Sequence, residues 1–280
     1  MTAFNRDLLI DHLKQLPPLP AVVTDLIASM EDDDVCIADI VQKITYDQGL
    51  TARILRVANS PFYGLQNKVG TLSDALVILG FRAVRGMVLV LGINGAFRFD
   101  HCRGFDAEAY LRHGIGTALG ARFLAPMAGQ QVELAFTAAL LHDIGQLVLA
   151  SGFSPDYALA LEYREKHDCP LVVAERDVLG LGHPEVGAML ADTWRFPDSL
   201  RQAIASHHSP AGEVADSLAN VVHVADCLAH ALGLSGAGGE MVMAIDRTAW
   251  ERLGLDGKKC AAIAAEIDAS FEESWMIFKG

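Results

Sequence analysis

The stretch Leu140–Gly145, with the sequence LLHDIG, sets a histidine and an aspartate side by side in an apolar helical segment. Residues 135–139, which precede it, repeat apolar side chains at helical spacing. Burial of an unpaired carboxylate is costly, so Asp143 needs a partner. One such partner is a cation, in which case Asp143 bridges two metal ions while His142 binds one of them. The alternative is a basic side chain, either Arg112 or a histidine, with His142 satisfied within the core.

Further histidines and one further aspartate occur at separated positions and can supply metal ligands together with His142 and Asp143. They are His113, His183, His207, His208 and Asp226. This mixture of imidazoles and carboxylates suits iron, manganese, zinc or nickel rather than calcium. Ligands from several separated segments are typical of a helical bundle that builds its site between facing helices. Taken singly, each of these histidines is more often a satisfied residue of a helix.

The tandem pair His207-His208 leaves two interpretations open. Neighbouring residues of one helix point about 100° apart. One of the two can therefore bind a metal while the other caps the helix or donates to a carboxylate. On the helix that carries Asp226, the apolar stripe lies opposite two histidines, which predicts that both are surface residues outside the site. These are His223 and His230, and the same interpretation applies to His12, His101 and His167.

Helical spacing of apolar residues dominates the whole chain, and strand-like alternation is nearly absent. The apolar run Met87–Ile93 is the one place where a buried strand is an alternative to a buried helix. Thr71 or Ser73 can cap a helix that Gly80 ends, and Pro184 and Pro197 mark further helix starts. The pattern predicts an all-α protein with a helical lobe over residues 1–100, a helical bundle over residues 101–233 and a helical tail over residues 234–280.

The composition excludes several classes of protein. The chain has 280 residues and a formal net charge of −13, which argues against a basic patch for nucleic acids or anionic membranes. Hydrophobic residues make up 51% of the chain, so it buries a core rather than remaining disordered. The five cysteines are scattered and no apolar run reaches eighteen residues, which predicts a reduced cytoplasmic protein. We expect neither nucleic acid nor membrane among its partners.

The order of the candidate ligands resembles that of a known superfamily. The series His, His-Asp, His, His-His, Asp resembles the HD-domain superfamily of metal-dependent phosphohydrolases, and the full set resembles its HD-GYP branch, which hydrolyses cyclic dinucleotides. Several blocks outside the ligands are similar to the HDOD family, and the similarity extends from about Leu16 to His230. They are Leu16–Met30, Tyr46–Gly64, Thr71–Leu89, Leu140–Leu149 and His183–Pro197.

The resemblance implies an all-helical bacterial signalling module that works beside response-regulator or cyclic-di-GMP domains. Carried over by position, one metal ion is held by His113, His142, Asp143 and Asp226. Asp143 also bridges to a second ion, which is held by His183, His207 and His208. The implied cofactor is a pair of divalent ions of iron, manganese, zinc or nickel, without an organic cofactor. No residue is assigned a catalytic role.

Two departures from the HD-GYP branch bear on the function. Gln146 stands where that branch has a lysine, and His208 is followed by SPAGEVADS rather than by a GYP loop. Both changes remove groups that stabilise charge and position the substrate in phosphoryl chemistry. We therefore expect a signalling protein that acts mainly through contacts with receiver, cyclic-di-GMP or kinase modules, or with a second copy of itself. The alternative is a dinuclear metal-dependent phosphohydrolase acting on nucleotides or cyclic dinucleotides, with Arg112 and Arg195 as candidate cations for the phosphate.

Overall fold

The computed structural model describes residues 6–16, 19, 21–28, 41, 44–45, 48–59, 68–94, 97, 101–210, 217–237 and 241–279. These residues form helices joined by turns, and no strand occurs among them. The predicted all-α class is therefore confirmed. The run Met87–Ile93, for which the sequence left a buried strand open, lies inside a helix.

The part of the chain before residue 100 contributes α1 (Arg6–Gln15), α2 (Ala21–Ala28), α3 (Gln48–Ala58), α4 (Leu72–Leu79) and α5 (Phe81–Asn94). Thr71 caps α4 by accepting from the amide of Asp74, whose carboxylate accepts from the amide of Thr71 in return. Gly80 ends α4 with a φ of 83°, a left-handed value that favours glycine. Both helix boundaries are those that the sequence predicts.

The bundle contains α6 (Ala107–Leu124), a 3₁₀ turn (Ala125–Ala128), α7 (Val132–Leu141), α8 (Ile144–Gly152), α9 (Ser154–His167), α10 (Leu171–Leu179), α11 (His183–Thr193), α12 (Asp198–Ser206) and α13 (Ser217–Ala231). Pro184 lies in the first turn of α11 and Pro197 directly precedes α12, as predicted. The tail contains α14 (Arg247–Arg252) and α15 (Gly257–Lys279).

Helix α13 runs through the middle of the bundle. It packs on α6, α7, α12 and α14, and every side chain from Leu218 to Ala229 is buried. The predicted arrangement, with an apolar stripe on one side and solvent on the other, is therefore wrong for this helix. Its polar side chains, His223 and Asp226 among them, need partners inside the protein.

One contiguous core of buried apolar side chains extends from Leu9 in α1 to Trp275 in α15. The N-terminal helices meet the bundle where α5 packs on α7, and the tail meets it where α15 packs on α6. The division into lobe, bundle and tail at residues 100 and 233 stays a prediction.

The segment Val132–Gly152 comprises α7, α8 and the two residues between them. By length and composition alone it could cross a membrane, since the mean hydropathy of its most apolar 18-residue window is 1.4. Within the protein, however, 78% of this apolar window is buried. The break at His142 and Asp143 divides the segment into two short helices of the core.

Candidate metal centre

The site begins at the break between α7 and α8. His142 continues the helical backbone, whereas Asp143 departs from it with a φ of −95° and a ψ of 13°. Gly145 lets α8 approach the start of α11, because a side chain at this position would overlap the carbonyl oxygen of His183. The break and the close approach together bring His142, Asp143 and His183 to one point inside the bundle.

A first group of atoms lies between Asp226 and one oxygen of Asp143. Nε2 of His113 lies 3.0 Å from Oδ1 of Asp226 and 3.2 Å from Nε2 of His142. Nε2 of His142 in turn lies 3.5 Å from Oδ2 of Asp143 and 3.8 Å from Oδ1 of Asp226. These residues come from α6, α13 and the break between α7 and α8, and all four are buried.

A second group lies on the other oxygen of Asp143. Nε2 of His183 is 3.0 Å from Oδ1 of Asp143, and Nε2 of His207 is 3.4 Å from the same oxygen. Nε2 of His183 also lies 3.3 Å from Nε2 of His207 and 3.0 Å from Nε2 of His208. Both members of the tandem pair reach this group because α12 ends at Ser206 and the pair lies in the turn that follows.

The structure therefore brings together all seven residues that the sequence suggests as ligands, and Asp143 lies between the two groups. Ligand atoms about 2.0–2.2 Å from a shared ion are roughly 3.0–3.6 Å from one another. The shortest separations within each group fall in this range. The spacing within the cluster is thus compatible with a bound metal ion.

The donor set also fits a cation. Oδ1 of Asp143 and both carboxylate oxygens of Asp226 are buried, and their partners among the described residues are imidazoles of the cluster rather than backbone amides or basic side chains of another kind. Buried carboxylate oxygens of this kind are costly unless a cation compensates them. Carboxylates and imidazoles together suit iron, manganese, zinc or nickel.

Hydrogen bonds behind the cluster orient three of its rings. Nδ1 of His142 donates to the carbonyl of Ala139 at 2.5 Å, and Nδ1 of His207 donates to the carbonyl of Ile204 at 2.8 Å. Because these carbonyls only accept, Nδ1 of both rings carries a proton, so in the neutral imidazole Nε2 faces the cluster as a lone pair. The third ring, that of His183, is held by a carboxylate instead.

That carboxylate belongs to Glu175, a fully buried residue of α10 that the sequence did not single out. One of its oxygens accepts from Nδ1 and from the backbone amide of His183, each at 2.7 Å. Such carboxylate–histidine pairs fix the orientation of a metal ligand and raise its basicity. The signal in the sequence is weak, because an acidic residue in VVAERD looks like part of a solvated helix face.

Gln146 contacts Asp143 rather than the cavity alone. Its Nε2 donates to Oδ2 of Asp143 at 2.7 Å, and its Oε1 accepts from the hydroxyl of Tyr157 at 3.4 Å. Tyr157 is fully buried, and its pKa is raised by burial and by the charges of Glu175 and Asp143. The neutral amide at this position therefore holds the central carboxylate in place.

Burial and neighbouring charges set different protonation states within the cluster. Burial opposes ionisation of Asp143, but His142 and His183 outweigh it and hold the pKa of this carboxyl well below its usual value. Burial lowers the pKa of His142 to about 4 and that of His208 to about 2. Burial also disfavours a charged His183, yet Glu175 and Asp143 raise its pKa to about 10.

Two histidines of α13 that were predicted to lie at the surface do not lie there. His223 is buried, where its Nδ1 donates to the carbonyl of His207 at 2.6 Å and its Nε2 accepts from the amide of Asp246 at 2.8 Å. His230 faces the cluster, with Nε2 3.4 Å from Oδ1 of Asp226. The prediction is wrong for His223 because every side chain from Leu218 to Ala229 is buried, and for His230 because its side of α13 faces the cluster and the cavity.

Of the other three excluded histidines, one is also placed differently. His12 is half-buried, with its ring 5.2 Å from that of Phe153, because α1 lies against the end of α8. His101 and His167 are exposed, as predicted.

Arg112 is not the partner of Asp143 that the sequence left open, and that alternative is wrong. Its Nε donates to the carbonyl of Leu234 at 3.0 Å and its Nη2 to Glu272 at 2.8 Å. Its guanidinium also lies over the rings of two residues of α15, Phe271 and Trp275. Arg112 thus fastens the tail to α6, which carries the neighbouring His113.

A cavity of about 470 Å³ reaches the cluster. His113, Asp143, His183 and His208 line it, whereas His142, His207 and Asp226 lie behind them. Its walls contain aromatic and apolar side chains, one cation and two carboxylates: Phe105, Tyr110, Leu161, Met241, Met243, Arg164, Asp106 and Glu165. Neither Arg112 nor the exposed Arg195 lines it, whereas Arg164 does.

The sequence profile of the HDOD domain matches residues 16–210, which is more than half of the chain. The chain belongs to the HDOD family. The match covers six of the seven clustered residues but ends before α13. In this HDOD chain, Asp226 and His230 therefore come from outside the matched region.

Solved structures resemble this HDOD chain over nearly its whole length. An HDOD domain protein of unknown function from Geobacter sulfurreducens shares the fold, with a TM-score of 0.79, 22% identity and 97% of each chain covered. A candidate phosphohydrolase from Shewanella amazonensis SB2B has a TM-score of 0.76 and 26% identity, again with 97% of each chain covered. A candidate signal transduction protein from Marinobacter aquaeolei VT8 has a TM-score of 0.81 and 25% identity, with 98% of this chain and 66% of that chain covered.

A curated relative extends further than this chain does. An uncharacterized protein from Treponema pallidum (strain Nichols) is 28% identical over 203 residues, or 71% of this chain. This chain spans only 39% of that relative's length.

Proposed function

We propose that the cluster binds two divalent metal ions bridged by Asp143 and that this HDOD chain hydrolyses a phosphate ester at them. The first ion would be held by His113, His142 and Asp226, and the second by His183, His207 and His208. The observation that carries the proposal is the central carboxylate, whose two oxygens face two different sets of imidazoles. The likeness to the Shewanella amazonensis candidate phosphohydrolase supports it.

A metal pair in such a site would activate water and stabilise the negative charge that develops on a phosphate. The residues of the chain supply the remaining requirements. His142 and His207 lie on the side of the cluster away from the cavity. Glu175 orients His183, and Gln146 orients Asp143, each through a hydrogen bond. The cavity leaves the opposite face of the cluster accessible to a ligand, and Arg164 in its wall offers a positive charge to a second phosphate oxygen or a second phosphate group.

The cavity walls suggest the kind of ester. Phe105 and Tyr110 offer ring surfaces, and Met241 and Met243 are adaptable apolar side chains. A phosphate joined to a flat, partly apolar group fits such walls. We therefore propose nucleotides or cyclic dinucleotides as the substrate class.

Metal analysis of protein purified without chelator or tag metal tests the proposal. We expect about two equivalents of iron, manganese, zinc or nickel, and less than one in the Asp143→Ala variant. Asp268→Ala, at an exposed position of α15, is the matched control and should keep both ions. A hydrolysis screen should then include bis-p-nitrophenyl phosphate, nucleoside monophosphates and cyclic dinucleotides. Protein without bound metal would overturn the proposal.

A second candidate function is signalling without catalysis, in which the metal pair stabilises the bundle. The observation that favours it concerns Gln146, whose amide is hydrogen-bonded to Asp143 and Tyr157. This side chain carries no charge that could stabilise a phosphate. The partners would then be receiver, cyclic-di-GMP or kinase modules of the cytoplasm, or a second copy of the chain. Two bound ions with no turnover of any phosphate ester would favour this candidate over the hydrolase.

A further inference from the structure

Asp226 and His230 lie four residues apart on α13, a spacing that places two side chains on the same face of a helix. Nε2 of His230 lies 3.4 Å from Oδ1 of Asp226. A pair of metal-binding side chains at this spacing is a common way for a helix to chelate an ion. The sequence pattern alone placed His230 at the surface, so neither motif nor spacing had connected it with the site.

Three imidazoles converge on the same carboxylate oxygen. Oδ1 of Asp226 is 3.0 Å from Nε2 of His113, 3.8 Å from that of His142 and 3.4 Å from that of His230. The rings of His113 and His230 are tilted by 31° with respect to each other, with centroids 4.3 Å apart. The ligand atoms of His113, Asp226 and His230 all lie within 4.8 Å of one another and form a group that could hold one ion.

His230 also differs from His142 and Asp226 in its accessibility. His142 and Asp226 do not line the cavity, whereas His230 lines it and has 23% of its side chain exposed. A ligand in this place would occupy the side of the first ion from which a substrate approaches. The second ion has no corresponding residue on its cavity side beyond His183 and His208 among the described residues that line the cavity.

We propose that His230 is an additional ligand of the first metal ion. This inference rests on the metal pair of the proposed function and makes the pair unequal. The first ion would have five protein ligands, His113, His142, Asp143, Asp226 and His230. The second would have four, His183, His207, His208 and Asp143. A phosphate would therefore meet more open positions on the second ion.

The test is reconstitution of the metal-free protein with cobalt(II), which reports its coordination through its visible absorption. We compare wild type, His230→Ala and His230→Gln, with His101→Ala as a control at an exposed histidine. We expect the two His230 variants to bind the first equivalent at least about tenfold more weakly in chelator competition and to show a changed absorption band. The second equivalent should bind as in wild type, and added imidazole should restore the spectrum of His230→Ala.

The outcomes separate this inference from the proposed function. Wild type that binds no cobalt overturns both. Wild type that binds two ions, with both His230 variants unchanged in affinity and spectrum, overturns only the role of His230. Weaker binding of both equivalents, without recovery by imidazole in a variant that unfolds at a lower temperature, also overturns it, because the effect is then structural.

Discussion

At the scale of single residues, Glu175 is the least expected part of the centre. A carboxylate with no exposed surface is expensive to bury, and here it is compensated by two donors of one residue, His183. The bond to Nδ1 determines which nitrogen of the ring faces Asp143. Glu175 therefore acts on the second group of candidate ligands through His183 rather than by direct contact with an ion.

Replacement of Glu175 with glutamine removes the charge and keeps an acceptor of similar shape. We expect the affinity for the second metal equivalent to fall by roughly 10–100-fold, because His183 becomes a weaker and less firmly oriented ligand. Chelator competition with each variant measures this. Glu162→Gln makes the same change at an exposed position of α9 and should leave both affinities unaltered. Equal affinities in wild type and Glu175→Gln would refute the role of Glu175.

The protonation of His183 predicts how metal binding depends on pH. Its pKa is raised to about 10, so the metal-free protein keeps this proton throughout the neutral range. An ion that takes Nε2 must displace the proton, so affinity should increase with pH, by about tenfold per unit if one proton is released. Calorimetric titrations in buffers of different ionisation enthalpy count the released protons between pH 6 and 8. Binding that is independent of pH would contradict this prediction.

At the scale of elements, the approach of α8 to α11 determines whether the two groups share Asp143. Gly145 is the contact point, and a side chain there would meet the backbone of both His183 and Gly187. Backbone atoms cannot move aside as the end of a side chain can. The helices would have to separate, which would draw His183 away from Asp143.

Gly145→Ala should therefore destabilise the fold by about 1–3 kcal/mol. It should also weaken metal binding at the group of His183, His207 and His208 more than at the group of His113, His142 and Asp226, because none of the latter residues lies on α11. Chemical denaturation and metal titration measure the two effects. Gly257→Ala introduces the same methyl group where no atom lies within 4 Å, and it should be neutral or slightly stabilising. A Gly145→Ala variant with wild-type stability would show that α8 and α11 are less closely packed.

At the scale of the whole molecule, the centre ties together distant parts of the chain. Its ligands come from α6, the break between α7 and α8, the start of α11, the turn after α12, and α13. An ion that binds only the folded chain stabilises it by mass action. An ion bound at the candidate centre would therefore be thermodynamically linked to folding.

Removal of the metal should lower the thermal unfolding temperature. With free metal at about a thousand times its dissociation constant, the linkage amounts to about 4 kcal/mol. Calorimetry of the protein before and after treatment with a chelator measures the loss, and renewed addition of metal should reverse it. Asp143→Ala should unfold at one temperature with or without chelator. A wild type that responds to chelator no more than this variant would contradict the prediction.

The sequence predicts the helices and the ligands for different reasons. Helix ends at Thr71, Gly80 and Pro184 follow from local capping and turn chemistry, which needs no knowledge of the fold. The seven candidate ligands are recognised only as a set, through the His-Asp pair in an apolar segment and through the resemblance of their order to that of the HD-domain superfamily. The position of His230 could not be predicted in this way, because the stripe argument assumes solvent on one side of α13. The sequence does not single out Glu175 either, because the two residues that follow it in α10, Arg176 and Asp177, are charged and exposed.

The break between α7 and α8 has a consequence before the protein has folded. Residues 132–152 emerge from the ribosome as an apolar segment of the length that membrane-insertion machinery accepts. A single aspartate near the centre of such a segment costs about 2.5–3.5 kcal/mol on insertion. Asp143 lies one residue from the midpoint, so the carboxylate at the heart of the candidate metal centre also opposes entry of the nascent chain into a bilayer. An apolar replacement at this position would remove both the proposed metal bridge and the charge that disfavours insertion of the segment into a membrane.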